Sequence, residues 1–141
     1  MDKIAKAYLK QIKWKSREIE DYKEEIVMIE TRLQRITPVM TGMPSGYGST
    51  DKFSDMMDPL IAYRNKLNDC LVDYIKLKSE AIDIIRQIED GQLRQILYKH
   101  YILGKEFNLI SVEMNYGYHY TCHRHATALK EFGKLLNDSK Q

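Results

Sequence analysis

The sequence predicts an all-α fold: a long antiparallel two-helix coiled-coil hairpin followed by a three-helix helix-turn-helix module. Apolar residues recur every seven residues through two long segments, and the three prolines all lie between residues 38 and 59. After residue 91 the apolar spacing changes to that of short helices. We therefore expect residues 1–90 to form the hairpin, with a loop over 37–52 and a role in oligomerisation or interaction, and residues 91–141 to form the helix-turn-helix module.

The composition excludes several classes of protein. Of 141 residues, 43% are hydrophobic and 30% are charged, which is too apolar for a disordered chain and too charged for a membrane protein. No stretch approaches about eighteen consecutive apolar residues, so we expect no membrane partner. The chain starts with charged residues rather than the apolar core of a signal peptide, and Cys70 and Cys122 match no metal or redox spacing. Both features favour a cytoplasmic protein.

The net charge of +2 conceals an uneven distribution. From Lys3 to Arg17 the chain has six basic residues and no acidic one. Residues 37–90 carry a net charge of −3, whereas residues 91–141 carry +3 and all four histidines. This asymmetry is a weak indication of a polyanionic partner, and a basic run of this size is typical of a solvated helix face.

The two long segments predict helices over residues 3–36 and 53–89. In each, two interleaved seven-residue series form a seam, which is a coiled-coil pattern. In the first helix the series are Ile12, Ile19, Ile26 and Leu33, and Tyr8, Tyr22, Ile29 and Ile36. In the second they are Leu60, Leu67, Tyr74, Ala81 and Ile88, and Met56, Tyr63, Cys70, Leu77 and Ile84. The second helix has further apolar positions at Leu71, Ile75, Ile82 and Ile85, which predict that the C-terminal module, a second copy of the chain, or both cover it.

Three short helices are predicted after residue 91. The first ends near Gly104, the second spans 106–114, and the third runs from Tyr118 to about Leu136. A three-residue turn between two such helices is the geometry that lets the second helix enter a major groove. The inward residues of the third helix should be Thr121, His125, Ala128, Phe132 and Leu135.

The second and third helices meet several packing demands of a helix-turn-helix. Small Ser111 suits the close helix crossing, and apolar Met114 suits the corner. Asn115 tolerates the left-handed backbone with which the turn should open, and apolar Tyr116 follows it. Arg124 departs from the pattern, because an apolar residue is expected at its position.

Three segments of the C-terminal third stand out: 97–105 (LYKHYILGK), 110–116 (ISVEMNY) and 125–129 (HATAL). On these segments, the C-terminal third resembles region four of sigma factors. The whole chain is similar to small phage and prophage transcriptional regulators of the ArpU-like type. Nothing in it resembles the promoter-melting regions of a complete sigma factor. Glu106 stands where the family pattern has a Ser or Thr helix cap, and Ser111 replaces the usual Ala.

The resemblance implies a sequence-specific regulator that binds double-stranded DNA. RNA polymerase and a second copy of the chain are further candidate partners. The helix starting near Tyr118 would read bases, and flanking lysines would contact phosphates. The candidate DNA-binding residues are Lys105, Tyr118, His119, Tyr120, His123, Arg124, Thr127, Lys130 and Lys134. The simpler interpretation of Tyr118 and Tyr120 is that they cap and pack the helix.

Other functions fit the sequence less well. His119 and His123 share a helix face, but no further ligand lies at the spacing that a zinc site requires, so no metal or other cofactor is expected. No nucleophile–base pair or phosphate loop stands out, so the chain is not expected to be an enzyme. Two alternatives to a transcriptional regulator remain: a DNA-packaging subunit of the small-terminase type, and a protein-interaction module of the transcription machinery.

Overall fold

A computed structural model describes residues 2–42 and 47–140 of the chain, and side chains for 3–35, 55 and 57–140. All regular secondary structure in these described residues is helical, which confirms the predicted all-α class. The helices are α1 (Asp2–Gly42), α2 (Tyr47–Arg86), α3 (Gly91–Leu97), α4 (Phe107–Met114) and α5 (Tyr118–Ser139). A π-helical turn, Tyr98–Ile102, continues α3. None of the helices described is both long and apolar enough to cross a membrane.

The two long helices differ from their predicted bounds. Helical backbone occupies 37–42 and 47–52, so the predicted loop over 37–52 is too long; positions 43–46 lie outside the described residues. A proline removes one backbone donor but does not by itself end a helix, and the helical backbone here passes through Pro38 and Pro59. Helix α2 ends earlier than predicted, at Arg86, and Asp90 caps the start of the next helix, α3.

The chain packs into two compact units. One consists of Met1–Lys15 together with Tyr74–Gln141, and the other of Ser16–Asp73. The predicted domains, 1–90 and 91–141, follow the order of the chain. Packing groups it differently, because the start of α1 and the end of α2 share a core with the C-terminal helices.

The core of the first unit surrounds Phe132, which has no solvent exposure. The Tyr8 ring packs against it with a centroid distance of 5.8 Å. Its hydroxyl lies at the edge of the core and donates to Glu80 Oε2 at 3.3 Å. The other buried members of this core are Ala5, Leu9, Ile12, Ala81, Ile84, Ile85, Ile88, Leu93, Leu97, Tyr101, Ile102, Ala128, Leu129 and Leu136.

This core also covers part of the broad apolar face of α2. Ile85 is buried in it and Ile82 packs against it at partial burial. Ile75, by contrast, is 63% exposed. The C-terminal module, one of the two partners predicted for this face, therefore covers the last turns of α2.

The second unit has a smaller core. Ile26, Leu33 and Leu60 are buried there, and partly buried apolar side chains, including Tyr63, surround them. Outside this core, Arg64 Nη2 donates to Glu30 Oε1 at 2.8 Å. Both partners are substantially exposed, so this ion pair contributes little to stability.

Candidate nucleic-acid interface

The crossing of α4 and α5 is tight and fully hydrogen-bonded. Ser111 and Thr121 are both buried there, and their hydroxyl oxygens lie 3.0 Å apart. The Ser111 hydroxyl also lies 2.7 Å from the carbonyl oxygen of Phe107, and Thr121 donates to the carbonyl oxygen of Gly117 at 3.0 Å. A larger side chain at Ser111 would push the helices apart, so a small residue at this crossing is a packing requirement.

The turn between α4 and α5 opens as the sequence predicts. Asn115 has φ 64° and ψ 39°, the left-handed conformation that asparagine tolerates. The amide of Tyr116 then donates to the carbonyl oxygen of Ser111 at 3.0 Å, which closes the end of α4. At the start of α4, the Glu106 side chain makes no cap hydrogen bond. Gly104, at φ 72°, ends the preceding helical turn as predicted.

The first turns of α5 present a row of exposed rings. Tyr118 and Tyr120 are each 47% exposed, and His119 and His123 are also exposed. Tyr116 is also exposed, and its ring lies 5.3 Å from that of Tyr120. Since none of these rings is in the core, they are available to contact a ligand.

An open groove lies beside this row of rings. Its volume is about 580 Å³. Polar groups of both helices and of the turn line it together with apolar Val112. The lining residues are Asn108, Ser111, Val112, Asn115, Tyr116 and Tyr118.

Arg124 is held within the protein. Its guanidinium forms an ion pair with Asp90, and its Nε donates to Gln92 Oε1 at 2.5 Å. Asp90 also accepts from the backbone amide of Gln92 at 2.9 Å, so it caps α3. Tyr120 reaches the same Gln92 oxygen at 3.4 Å. Arg124 therefore ties the start of α5 to the start of α3, which explains a charged residue at a position where an apolar one is expected.

Two of the lysines predicted to contact phosphates, Lys105 and Lys134, lie beside carboxylates of the protein itself. Lys105 and Lys99 each lie 2.8 Å from a carboxylate oxygen of Glu113. Hydrogen bonds from these two ammonium groups hold the pKa of Glu113 below its usual value. Lys134 lies 3.7 Å from the Glu131 carboxylate.

Lys130 and Thr127 complete the predicted set. Lys130 is exposed and makes no ion pair with any residue that the structure describes. The Thr127 hydroxyl donates to the carbonyl oxygen of His123 at 3.4 Å, a contact within the helix. Lys130 is thus the lysine of the predicted set whose charge is uncompensated.

A cluster of rings fills the space between the π-helical turn, α4 and α5. The Tyr101 hydroxyl and His125 Nε2 are 2.8 Å apart, so His125 is hydrogen-bonded within the module. His100 stacks on Phe107 at 4.1 Å, and its Nδ1 lies 2.8 Å from the carbonyl oxygen of Lys105. Burial is the main cause that lowers the pKa of both histidines, and that of His125 falls to about 4. The cluster is therefore neutral at pH 7.

Sequence reasoning missed the ion pairs that occupy the basic residues. The Asp90–Gly91 step is recognisable as a helix start, but nothing in the sequence indicates that Arg124, more than thirty residues later, pairs with it. No group of three or more ligating side chains that could hold a metal ion occurs among the described residues. Comparisons of the chain with protein-family models, curated proteins and solved structures found no match.

Proposed function

We propose that this protein is a sequence-specific DNA-binding transcriptional regulator of phage or prophage type, with an ArpU-like, sigma-like helix-turn-helix behind an antiparallel coiled-coil hairpin. The observation that carries the proposal is the α4–α5 junction. Its left-handed Asn115 and the buried contact of Ser111 with Thr121 are what a helix-turn-helix requires. The Tyr8–Glu80 hydrogen bond, which joins the start of α1 to the end of α2, supports the hairpin.

In this proposal the exposed start of α5 lies in the major groove. Tyr118, His119, Tyr120 and His123 offer hydrogen-bonding groups and ring edges to the bases. Lys130, about two turns beyond His123 on α5, contacts a phosphate. Arg124 positions α5 through Asp90 and Gln92 rather than contacting DNA.

Exposed apolar residues on α4 favour a second candidate function, a protein-interaction module of the transcription machinery that contacts RNA polymerase. Val112 is 76% exposed and Leu109 is 47% exposed. Exposed apolar side chains that lie together are a feature of protein contact surfaces. This candidate predicts that the protein has no sequence preference in DNA.

The first prediction concerns base reading. Selection from a random duplex pool should enrich one sequence, and Tyr120→Ala or His123→Ala should weaken binding to it by about 1–3 kcal/mol. Neither side chain is buried, so circular dichroism should show an unchanged fold. Lys130→Ala is the matched control: it should weaken binding to all sequences alike and reduce the salt slope by roughly one.

Two results would contradict this prediction. One is a folded protein that enriches no sequence even at low salt, as the interaction-module candidate expects. The other is unchanged affinity of both the Tyr120 and the His123 variants for an enriched sequence, which would mean that other residues contact the bases.

The second prediction concerns assembly. We propose a homodimer through the hairpin that presents two helix-turn-helix units to paired half-sites. Sedimentation equilibrium should give a dimer, and Ile75→Glu should give a monomer because it places a charge on an exposed apolar position of α2. Lys76→Glu, at the exposed neighbouring position, is the control. A monomer at high micromolar concentration argues against the dimer, and a large ring favours the small-terminase alternative.

A further inference from the structure

Four lysines form a stripe along the first turns of α1. Lys3, Lys6, Lys10 and Lys13 are spaced by three, four and three residues, so they share one face of the helix. All four are exposed. At about 1.5 Å per residue the stripe is roughly 15 Å long. We call these four residues the lysine stripe.

The lysine stripe is unfavourable for the helix that carries it. Like charges three and four residues apart repel each other, and positive charges near a helix N-terminus oppose the helix dipole. None of the four makes an ion pair with a described acidic side chain. Residues that destabilise their own helix in this way are expected where a function requires them.

The stripe belongs to the same compact unit as the helix-turn-helix. The opposite face of α1, with Leu9 and Ile12, is buried in the core that also contains Phe132 of α5. After burial, repulsion by Lys6 is among the causes that lower the pKa of His100 and His125. Lys6 is therefore within electrostatic range of two residues of the module.

The helix-turn-helix itself has little uncompensated positive charge. Glu113 neutralises part of the charge of Lys99 and Lys105, and Asp90 holds Arg124. Cations that displace counterions from phosphates supply essentially all of the non-specific affinity of a protein for duplex DNA and a large share of its specific affinity. A module that reads bases with tyrosine and histidine therefore needs phosphate-binding charge from another part of the unit.

We propose that the lysine stripe is a second DNA-binding surface, which binds the phosphodiester backbone of the duplex while the start of α5 contacts bases. This inference rests on the proposed function, because it assigns that function its source of affinity. Successive phosphates of one strand rise by about 3.4 Å along the duplex axis and also rotate around it, so a 15 Å stripe is long enough to contact several of them. The ligand chemistry is thus a row of phosphodiesters.

The test compares two variants with equal loss of charge. The stripe variant is K3Q/K6Q/K10Q/K13Q, and the control is K66Q/K76Q/R86Q/K140Q, at exposed positions outside the stripe. Binding to a duplex of random sequence is measured by fluorescence anisotropy over a range of salt concentrations. The stripe variant should lose about three to four units of the slope of log K against log salt, and the control about one or less.

A thermal unfolding experiment accompanies the binding measurement. Because the substitutions remove repulsion and an unfavourable dipole interaction, the stripe variant should unfold at the wild-type temperature or above it. Weaker binding with equal or greater stability supports the inference. If the quadruple variant fails to fold, K6Q and K10Q are measured singly, and each should remove about 0.9 units of slope.

Failure of the inference and failure of the proposed function give different results. An unchanged salt slope in the stripe variant overturns the inference, even if the protein still selects a DNA sequence. A reduced slope in a protein that selects no sequence supports the stripe and contradicts the proposed function. The remaining arm measures binding to vesicles of phosphatidylserine and phosphatidylcholine. If the wild type binds these vesicles, the stripe variant does not, and the salt slope for DNA is unchanged, the stripe binds anionic membranes and the inference is overturned.

Discussion

Phe132→Ala should destabilise the first unit by about 3–5 kcal/mol, the cost of removing a fully buried aromatic side chain. Phe132 is completely buried and packs against Tyr8 of α1, so its loss leaves a cavity between elements distant in sequence. A domain of this size typically has only about 5–15 kcal/mol of stability. Urea denaturation followed by far-ultraviolet circular dichroism should therefore show a large decrease in the transition midpoint.

Two control variants make this result specific. Lys134→Ala removes an exposed side chain of the same helix and should change the free energy of unfolding by less than about 0.5 kcal/mol. Phe132→Leu keeps most of the apolar volume and should cost less than the alanine variant. Equal stability of wild type and Phe132→Ala would mean that α1 and α5 do not share the core described above.

The coarse fold could be predicted because period and composition act over many residues. Seven-residue series extend through both long helices, so a single residue that departs from the pattern does not remove the periodicity. The all-α class follows from the whole pattern. The ends of those helices were less predictable. The predicted first helix ends at residue 36, before Pro38, yet helical backbone passes through this proline, because one missing donor is a local cost that the neighbouring turns can absorb.

The turn of the candidate site was predictable for a different reason. Few residues tolerate positive φ, so Asn115 between two predicted helices indicates a left-handed turn. Ion pairs between residues distant in sequence have no such local signal. The pairing of Arg124 with Asp90, and of Lys105 with Glu113, depends on how three helices meet, and residue types alone do not specify it.

These ion pairs change the interpretation of the candidate DNA-binding residues. Charge alone would rank Arg124 and Lys105 as leading phosphate contacts, but each has a carboxylate partner within the protein. Breaking such a pair to bind DNA exchanges one carboxylate for one phosphate, so the net gain in affinity is small. The exposed rings of α5 and uncompensated lysines such as Lys130 are the stronger candidates.

The unit that contains His125 should lose stability in mild acid. Burial, followed by repulsion from His100 and Lys6, lowers the pKa of His125 from 6.5 to about 4. Burial also raises the pKa of Tyr101 to about 12, so its hydroxyl stays protonated and donates to the unprotonated Nε2 of His125, 2.8 Å away. Protonation of Nε2 would reverse this hydrogen bond, so that Nε2 donates to the hydroxyl. It would also place a partly buried charge beside the His100 ring, 5.6 Å away.

The direction of the effect follows from proton binding in the two states. Between pH 6.5 and about 4 the unfolded chain binds a proton at this position and the folded chain does not, so stability falls as pH falls through this window. The full shift corresponds to about 3 kcal/mol, and the partial exposure of the ring reduces this to roughly 2 kcal/mol.

His125→Gln keeps an acceptor for Tyr101 but does not titrate, so its free energy of unfolding should depend less steeply on pH. His119→Gln, on the exposed face of α5, should retain the wild-type profile. Urea denaturation from pH 7 to pH 4 measures all three proteins, and parallel curves for wild type and His125→Gln would show that His125 is not the responsible group.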